Sequence, residues 1–241
     1  MLSRGSSIAV VAPSGIPVDT KLAAGIQVLR DWGYIVEPLA STFAQHRYFA
    51  GTDTLRLADL QVAFSGRYDA VWMARGGSGL ARIVGQLDWS MVAPVPFFGF
   101  SDGTTLLNAM ASRGLPTNHA PVLNALGSLN DETSRDALRR LLSGAAEVRL
   151  AGSWLLGNGV GVRGSVAGGN LCVLASLAGT PLQLDSRGKI VLLEDLGEVP
   201  YKLDRLLVQC RDSGSFTGAV ACVLGDFLDA APPPGADWTV D

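Results

Sequence analysis

Short runs of consecutive apolar residues recur along the first part of the chain, each closed by a turn and followed by residues of helical period. Ile8 to Ala12 leads into Pro13-Ser14-Gly15 and then a helix near Lys21 to Trp32. Ala70 to Ala74 leads into Arg75-Gly76-Gly77-Ser78-Gly79 and a helix near Leu80 to Leu87. Val95 to Phe100 leads into Ser101-Asp102-Gly103 and a helix over Thr104 to Ser112. Uninterrupted apolar runs mark strands buried on both faces, and their alternation with helices is the βαβ pattern of a parallel sheet. Such a sheet gathers the C-terminal ends of its strands along one edge, where ligands bind. The three turns are therefore expected at one rim. The class is α/β, with an N-terminal flavodoxin- or Rossmann-like parallel-sheet domain over residues 1–143.

The pattern changes at Gly144. Gly144, Gly152, Gly157, Gly159 and Gly161 interrupt short apolar pieces, so residues 144–163 read as a linker. A smaller, largely β C-terminal domain is expected over residues 164–241. It holds a Gly168-Gly169-Asn170 turn, a helical stretch at Leu171 to Leu177 and a strand at Lys189 to Leu193 closed by Glu194-Asp195. A helix follows over Pro200 to Asp212, then a strand over Ala219 to Leu224 ending at Gly225. Pro232-Pro233-Pro234-Gly235 reads as a connector, and Asp237 as the cap of a helix beginning at Trp238. Because the chain stops at Asp241, this domain is expected to be incomplete.

Composition narrows the function classes. The 241 residues are 48% hydrophobic and 17% charged, which excludes a disordered chain. The net charge of −3, with no basic run, removes the electrostatic support for a nucleic-acid partner. Mean hydropathy is +0.27, yet no apolar run approaches the roughly 18 residues of a spanning helix, so no membrane partner is expected. The five apolar residues before Pro13 are too few for a secretory core of about 7–15, and the expected location is the cytoplasm. Three cysteines without a C-x-x-C pair suggest neither a disulfide framework nor a metal site.

The first candidate chemistry is Gly99-Phe100-Ser101-Asp102-Gly103, a G-x-S-x-G segment with a strand before it and a helix after it. That context lifts a serine hydroxyl clear of the sheet beside free helix N–H groups. The plainer alternative is that Ser101 or Asp102 caps the helix at Thr104. Gly76 and Gly77 allow a ligand to approach backbone N–H groups, and Arg75 could meet a carboxylate, or stand in solvent. Gly77-Ser78-Gly79-Leu80-Ala81-Arg82 also approaches a dinucleotide fingerprint, with Asp102 at roughly the offset of its ribose acid. Arg82 replaces its third glycine, which leaves a nicotinamide-dependent oxidoreductase as the weaker alternative. Glu194 and Asp195 at a strand end suit the acid of a Ser, acid, His order, or a turn acid. The two histidines, His46 and His119, both precede them. His119 closes the short segment after Leu115, read as the end of the next strand on the same rim as Ser101. It suits either a base or, more simply, a pocket wall or structural position, while His46 has no chemical context.

Taken in order, Ala12-Pro13-Ser14-Gly15, Phe49-Ala50-Gly51-Thr52-Asp53, Ala74 to Gly79, Gly99 to Thr104, Gly168 to Leu171, Gly179-Thr180-Pro181 and Leu193 to Arg205 resemble the LD-carboxypeptidases. These muramoyltetrapeptide carboxypeptidases include the microcin-immunity peptidases. The resemblance implies a serine peptidase with a Ser-Glu-His triad, in which Ser101 is the nucleophile and Glu194 the acid. It implies an oxyanion site from the backbone N–H groups of Asp102 and of Gly76-Gly77, with Arg75 and His119 near the substrate. The implied reaction releases terminal D-alanine from murein tetrapeptide in peptidoglycan recycling, without a metal or organic cofactor, in a homodimer. In the family the base histidine follows the strand that contains Ala219 to Leu224, and this sequence has none there. The base is thus expected from a separate C-terminal segment, or its role is absent. Losing the base of a comparable triad costs about 10⁶ in kcat, about 8 kcal/mol. The isolated chain is accordingly expected to turn over little, and the alternative from another class is a non-catalytic murein-peptide binding protein.

Overall fold

The first apolar run forms strand β1 (Ser7–Val11), whose last four residues are buried. Pro13 follows it closely and has no N–H with which to extend a ladder. Helix α1 (Asp19–Asp31) buries Leu22, Gly25, Ile26 and Leu29, one stripe at helical spacing. Then come β2 (Ile35–Pro38), α2 (Asp53–Ala63) and β3 (Ala70–Met73), the last buried at every position. The chain continues through α3 (Leu80–Ile83), β4 (Phe97–Gly99), α4 (Thr104–Ala111), β5 (Thr117–His119), α5 (Leu123–Leu126) and α6 (Glu132–Leu142). It finishes with β6 (Ser165–Asn170), α7 (Leu171–Ser176), β7 (Lys189–Leu196), α8 (Pro200–Asp212) and β8 (Ala221–Leu228). This computed structural model describes residues 2–129, 131–144, 149, 151–157, 161–232 and 235. Much of the expected connector, and the expected Asp237 cap and Trp238 helix, lie outside the described residues, as does Gly159 of the expected linker.

The chain divides into two compact units, Met1–Phe100 with Leu115–Gly161, and Ser101–Gly114 with Val162–Asp241. The first holds a five-stranded sheet of order β2-β1-β3-β4-β5, parallel throughout. One of its cores packs Ile8, Val10, Trp72 and Phe98 against Leu22, Ile26 and Leu29 of α1 and against Leu123 and Leu126. Helix α1 approaches α5 so closely that a Cβ on Gly25 would overlap the Leu123 carbonyl oxygen. The second unit holds a separate three-stranded parallel sheet of order β6-β7-β8. Its core joins Leu171, Leu174 and Ala175 to Val191, Leu193, Leu203 and Cys210. Among the described residues no helix is long and apolar enough to cross a membrane.

Three elements differ from the sequence expectation for local reasons. Gly168-Gly169-Asn170 is the end of β6 rather than a turn. Gly168 and Gly169 have φ of 113° and 128°, where side chains are rarely accommodated. A Cβ on Gly168 would overlap the Leu192 carbonyl oxygen, and one on Gly169 would press on the Thr104 side chain. Strand β8 does not stop at Gly225 but runs on to Leu228, because an irregularity beyond Leu193↔Leu224 lets pairing resume at Asp195↔Phe227. Finally, the residues expected to form a helix from Leu80 to Leu87 split into α3 and a 3₁₀ turn at Val84–Gln86.

Asp53, at the start of α2, binds Arg82 through two nitrogens at 2.7 and 2.9 Å and also pairs with Arg56. The Arg82 hydrogen bond, helped by the Arg56 charge, holds its carboxyl below the ordinary value. Its contribution to stability is therefore present at neutral pH and lost as pH falls below about 4. Asp53→Asn is expected to lower stability by roughly 1 kcal/mol at pH 7, with a smaller difference at pH 3. Denaturant titrations of both proteins at the two pH values check this.

Candidate active site

The turn between β4 and α4 carries the backbone feature that a strand–serine–helix corner demands. Ser101 has φ of 59°, one of three described non-glycine residues with positive φ. This left-handed conformation costs a side-chain-bearing residue roughly 1–2 kcal/mol and persists only when neighbouring structure enforces it. Gly99 precedes it where a Cβ would collide with the Phe97 ring. Residues Ser101–Gly103 form a 3₁₀ turn that runs directly into α4, with Gly103 at the N-cap position. Neither Ser101 nor Asp102 holds that position, so simple capping does not account for the serine.

The enforcing contacts are polar and lie within the second unit. From α4, the Asn108 side-chain amide donates to the Gly168 carbonyl and accepts from the Gly168 N–H, both at 2.9 Å. It also donates to the Thr104 carbonyl at 2.8 Å. The fully buried Thr104 hydroxyl accepts from the Asn170 N–H at 3.0 Å. These bonds fasten the helix that begins at the serine turn to β6. Asn108→Ala leaves the Gly168 N–H and carbonyl without partners and is expected to cost about 1–3 kcal/mol, measurable by denaturant unfolding.

Strand β7 lies beside β6 with Asn170 opposite Glu194. Asn170 donates to Asp195 at 2.9 Å while its own oxygen caps α7 through the Val173 N–H. Asp195 also accepts from the Cys172 and Leu196 N–H groups, each at 2.8 Å. Its carboxylate is thus committed to the start of α7 and to its own strand. Glu194 is buried at 7% exposure and faces the β7–β8 irregularity, a feature that commonly re-aims a side chain. Ser101, Asp102 and Glu194 all belong to the second unit.

The remaining candidates lie in the first unit. Arg75 is exposed, and its guanidinium donates to the Ile16 carbonyl. Gly76 accepts from the Gly15 N–H at 2.9 Å, joining the turns that leave β1 and β3. Gly77, with φ of 111°, approaches Gly15 so closely that a Cβ would stand 3.2 Å from the Gly15 backbone. His119 is exposed, pairs in register with Gly99 and lies edge-on to Phe100 at 5.0 Å between ring centroids. His46 is exposed and forms an isolated bridge with Phe49. Burial pushes the Cys210 thiol up to about 11, and burial together with the Glu198 and Asp195 charges raises Cys172, away from the reactive thiolate. Among the described residues no group of histidine, cysteine and acidic side chains is arranged to hold a metal ion.

Sequence reasoning singled out neither Asn108 nor Thr104. The available signal was an asparagine flanked by the apolar residues Leu106, Leu107, Ala109 and Met110 of α4, where its helix propensity is poor and its amide needs partners.

Similarity to known proteins extends over most of the chain. The LD-carboxypeptidase N-terminal domain matches residues 8–120, and the LD-carboxypeptidase C-terminal domain matches residues 163–240. A putative carboxypeptidase of Streptomyces coelicolor is 38% identical over 244 residues, covering 96% of this chain and 78% of that protein. The murein tetrapeptide carboxypeptidase of Pseudomonas aeruginosa is 36% identical over 235 residues, covering 92% and 76%. The crystal structure of a muramoyltetrapeptide carboxypeptidase from Oxalobacter formigenes superimposes with a TM-score of 0.83 at 30% identity, covering 92% of this chain and 77% of that one. The parallel-sheet architecture and the two family domains agree, and the chain belongs to the LD-carboxypeptidase family of serine-type hydrolases.

Proposed function

We propose that the protein hydrolyses the L,D bond of murein tetrapeptide and releases terminal D-alanine, with Ser101 as nucleophile. The observation that carries this reading is the left-handed Ser101 at the head of α4. The substrate class comes from the relatives named for murein tetrapeptide and muramoyltetrapeptide. A cytoplasmic role in peptidoglycan recycling goes with that substrate.

The Ser101 hydroxyl oxygen attacks the carbonyl carbon of the scissile bond while its proton passes to a base. The oxyanion that forms is met by the N–H of Asp102 and by the Gly76-Gly77 turn. Collapse breaks the C–N bond as the base returns the proton to the departing amine, freeing D-alanine and leaving an ester on Ser101. Water then attacks the ester by the same route and regenerates the hydroxyl. Glu194 orients the base and stabilises its protonated form. Arg75 and His119 bound the peptide, and the base is a histidine that a separate C-terminal segment supplies. Incubation with murein tetrapeptide and quantitation of D-alanine tests the reaction. Retention of full release in Ser101→Ala would sink the assignment.

A further inference from the structure

Helix α2 carries an arginine, Arg56, whose side chain is wholly inside the first unit at 0% exposure. Burying a guanidinium is costly unless its charge and donors are matched, and an apolar residue of similar size often serves stability as well or better. A buried fork can, however, reach several partners at once, which an apolar side chain cannot. One nitrogen donates to the Pro13 carbonyl in the turn leaving β1, and another pairs with Asp53. The guanidinium carbon stands 4.6 Å from the Phe49 ring centroid. Gly79, in the turn leaving β3, packs against the same guanidinium, with no space there for a Cβ.

Arg56 thus touches both glycine-rich turns of the rim. Those turns are also tied directly, by Gly15 N–H to the Gly76 carbonyl at 2.9 Å, and Ala50 N–H secures Ser14 at 2.9 Å. Asp53 anchors the outer end, where Arg82 shares its carboxylate. The fork spans what one hydrogen bond cannot: it holds the first turn by its carbonyl and presents a flat surface to the second.

We propose that Arg56 is a positioning residue for the reaction, a buried strut that fixes the Gly76-Gly77 backbone N–H groups against the Pro13–Gly15 turn. This rests on the reading above, in which those N–H groups meet the oxyanion. Losing one donor of an oxyanion site costs about 10²–10³ in kcat. A displaced turn is accordingly expected to lose about 10–100-fold in kcat while KM stays within about three-fold.

The test uses Arg56→Lys, which keeps the charge and loses the fork, with Arg82→Gln as a control that leaves the Arg56–Asp53 pair intact. Peptide-level hydrogen exchange over residues 13–16 and 76–79 is read alongside melting temperature, kcat and KM for D-alanine release. The expected result for Arg56→Lys is faster exchange in both turns and the kcat loss, with KM held; Arg82→Gln is expected to match the parent in exchange, kcat and KM. Unchanged exchange and kcat in Arg56→Lys overturn the strut, as does a lower melting temperature with undiminished kcat. If Arg56→Lys does not fold, Asp53→Asn frees the outer end of the guanidinium. It is expected to loosen the same turns and lower kcat about 3–10-fold, and its failure to do either is equally decisive. Exchange is read without turnover. A parent protein that releases no D-alanine with its base in place therefore defeats the assigned reaction, whereas turns that stay protected defeat the strut.

Discussion

Replacing Ser101 by alanine is expected to abolish D-alanine release, with kcat falling by about 10⁶ in the enzyme with its base in place. The magnitude follows from how triads work. Nucleophile and base act as one unit, so removing either forfeits nearly the whole covalent route and leaves only binding and oxyanion stabilisation. Folding is expected to survive. Alanine carries the same Cβ into the left-handed position at φ of 59° and should gain or lose little there. The Asn108–Gly168 and Thr104–Asn170 bonds that enforce the turn involve no atom of Ser101. A melting temperature near that of the parent, together with lost release in a chromatographic D-alanine assay, separates chemistry from stability.

Glu194→Gln is the second large effect, expected at about 10⁴ in kcat. A carboxylate that accepts a hydrogen bond from an imidazole fixes its tautomer and offsets the charge that forms as the base takes the serine proton. The amide keeps the shape of Glu194 but can present a donor where an acceptor is needed. Asp195→Asn is the instructive neighbour. Asp195 already accepts from Asn170, Cys172 and Leu196, so its substitution should disturb the start of α7 and lower stability. Single-turnover kinetics with murein tetrapeptide, combined with denaturant unfolding, distinguish the two acids. A kcat loss at Asp195 equal to that at Glu194 would reassign the role.

Much of the parallel sheet was legible because its strands are buried on both faces. Ile8 to Val11 and Ala70 to Met73 are unbroken apolar runs. Helix α8 was legible at both ends, from Pro200 in its first turn to the left-handed Gly214 just beyond it. Strand β2 is short and ends in Glu-Pro, and β5 is the polar triplet Thr-Asn-His, so neither has a hydrophobic signature. The Gly168-Gly169 pair looks like a turn because glycine permits turns and close packing alike, and only the approach of Leu192 and Thr104 shows which applies.

At the site, the sequence displays Ser101 because G-x-S-x-G between strand and helix has a local geometry. What holds that geometry was hidden. Asn108 meets Gly168 across a sequence separation of 60 residues, and no local pattern announces that pairing. Nor does anything between Phe100 and Ser101 show that Ser101–Gly114 packs with the later unit. Arg56 is hidden for another reason. In a helix that also exposes charge, helical period alone does not reveal that one arginine points inward.

The most direct measurement is release of alanine from murein tetrapeptide, run side by side on the protein and on Ser101→Ala, with the L-alanine epimer as a third arm. With the base in place, the account predicts D-alanine from the L,D peptide alone, and only where Ser101 is present. D-alanine formed at the same rate by Ser101→Ala, or alanine released equally from the epimer, would contradict it.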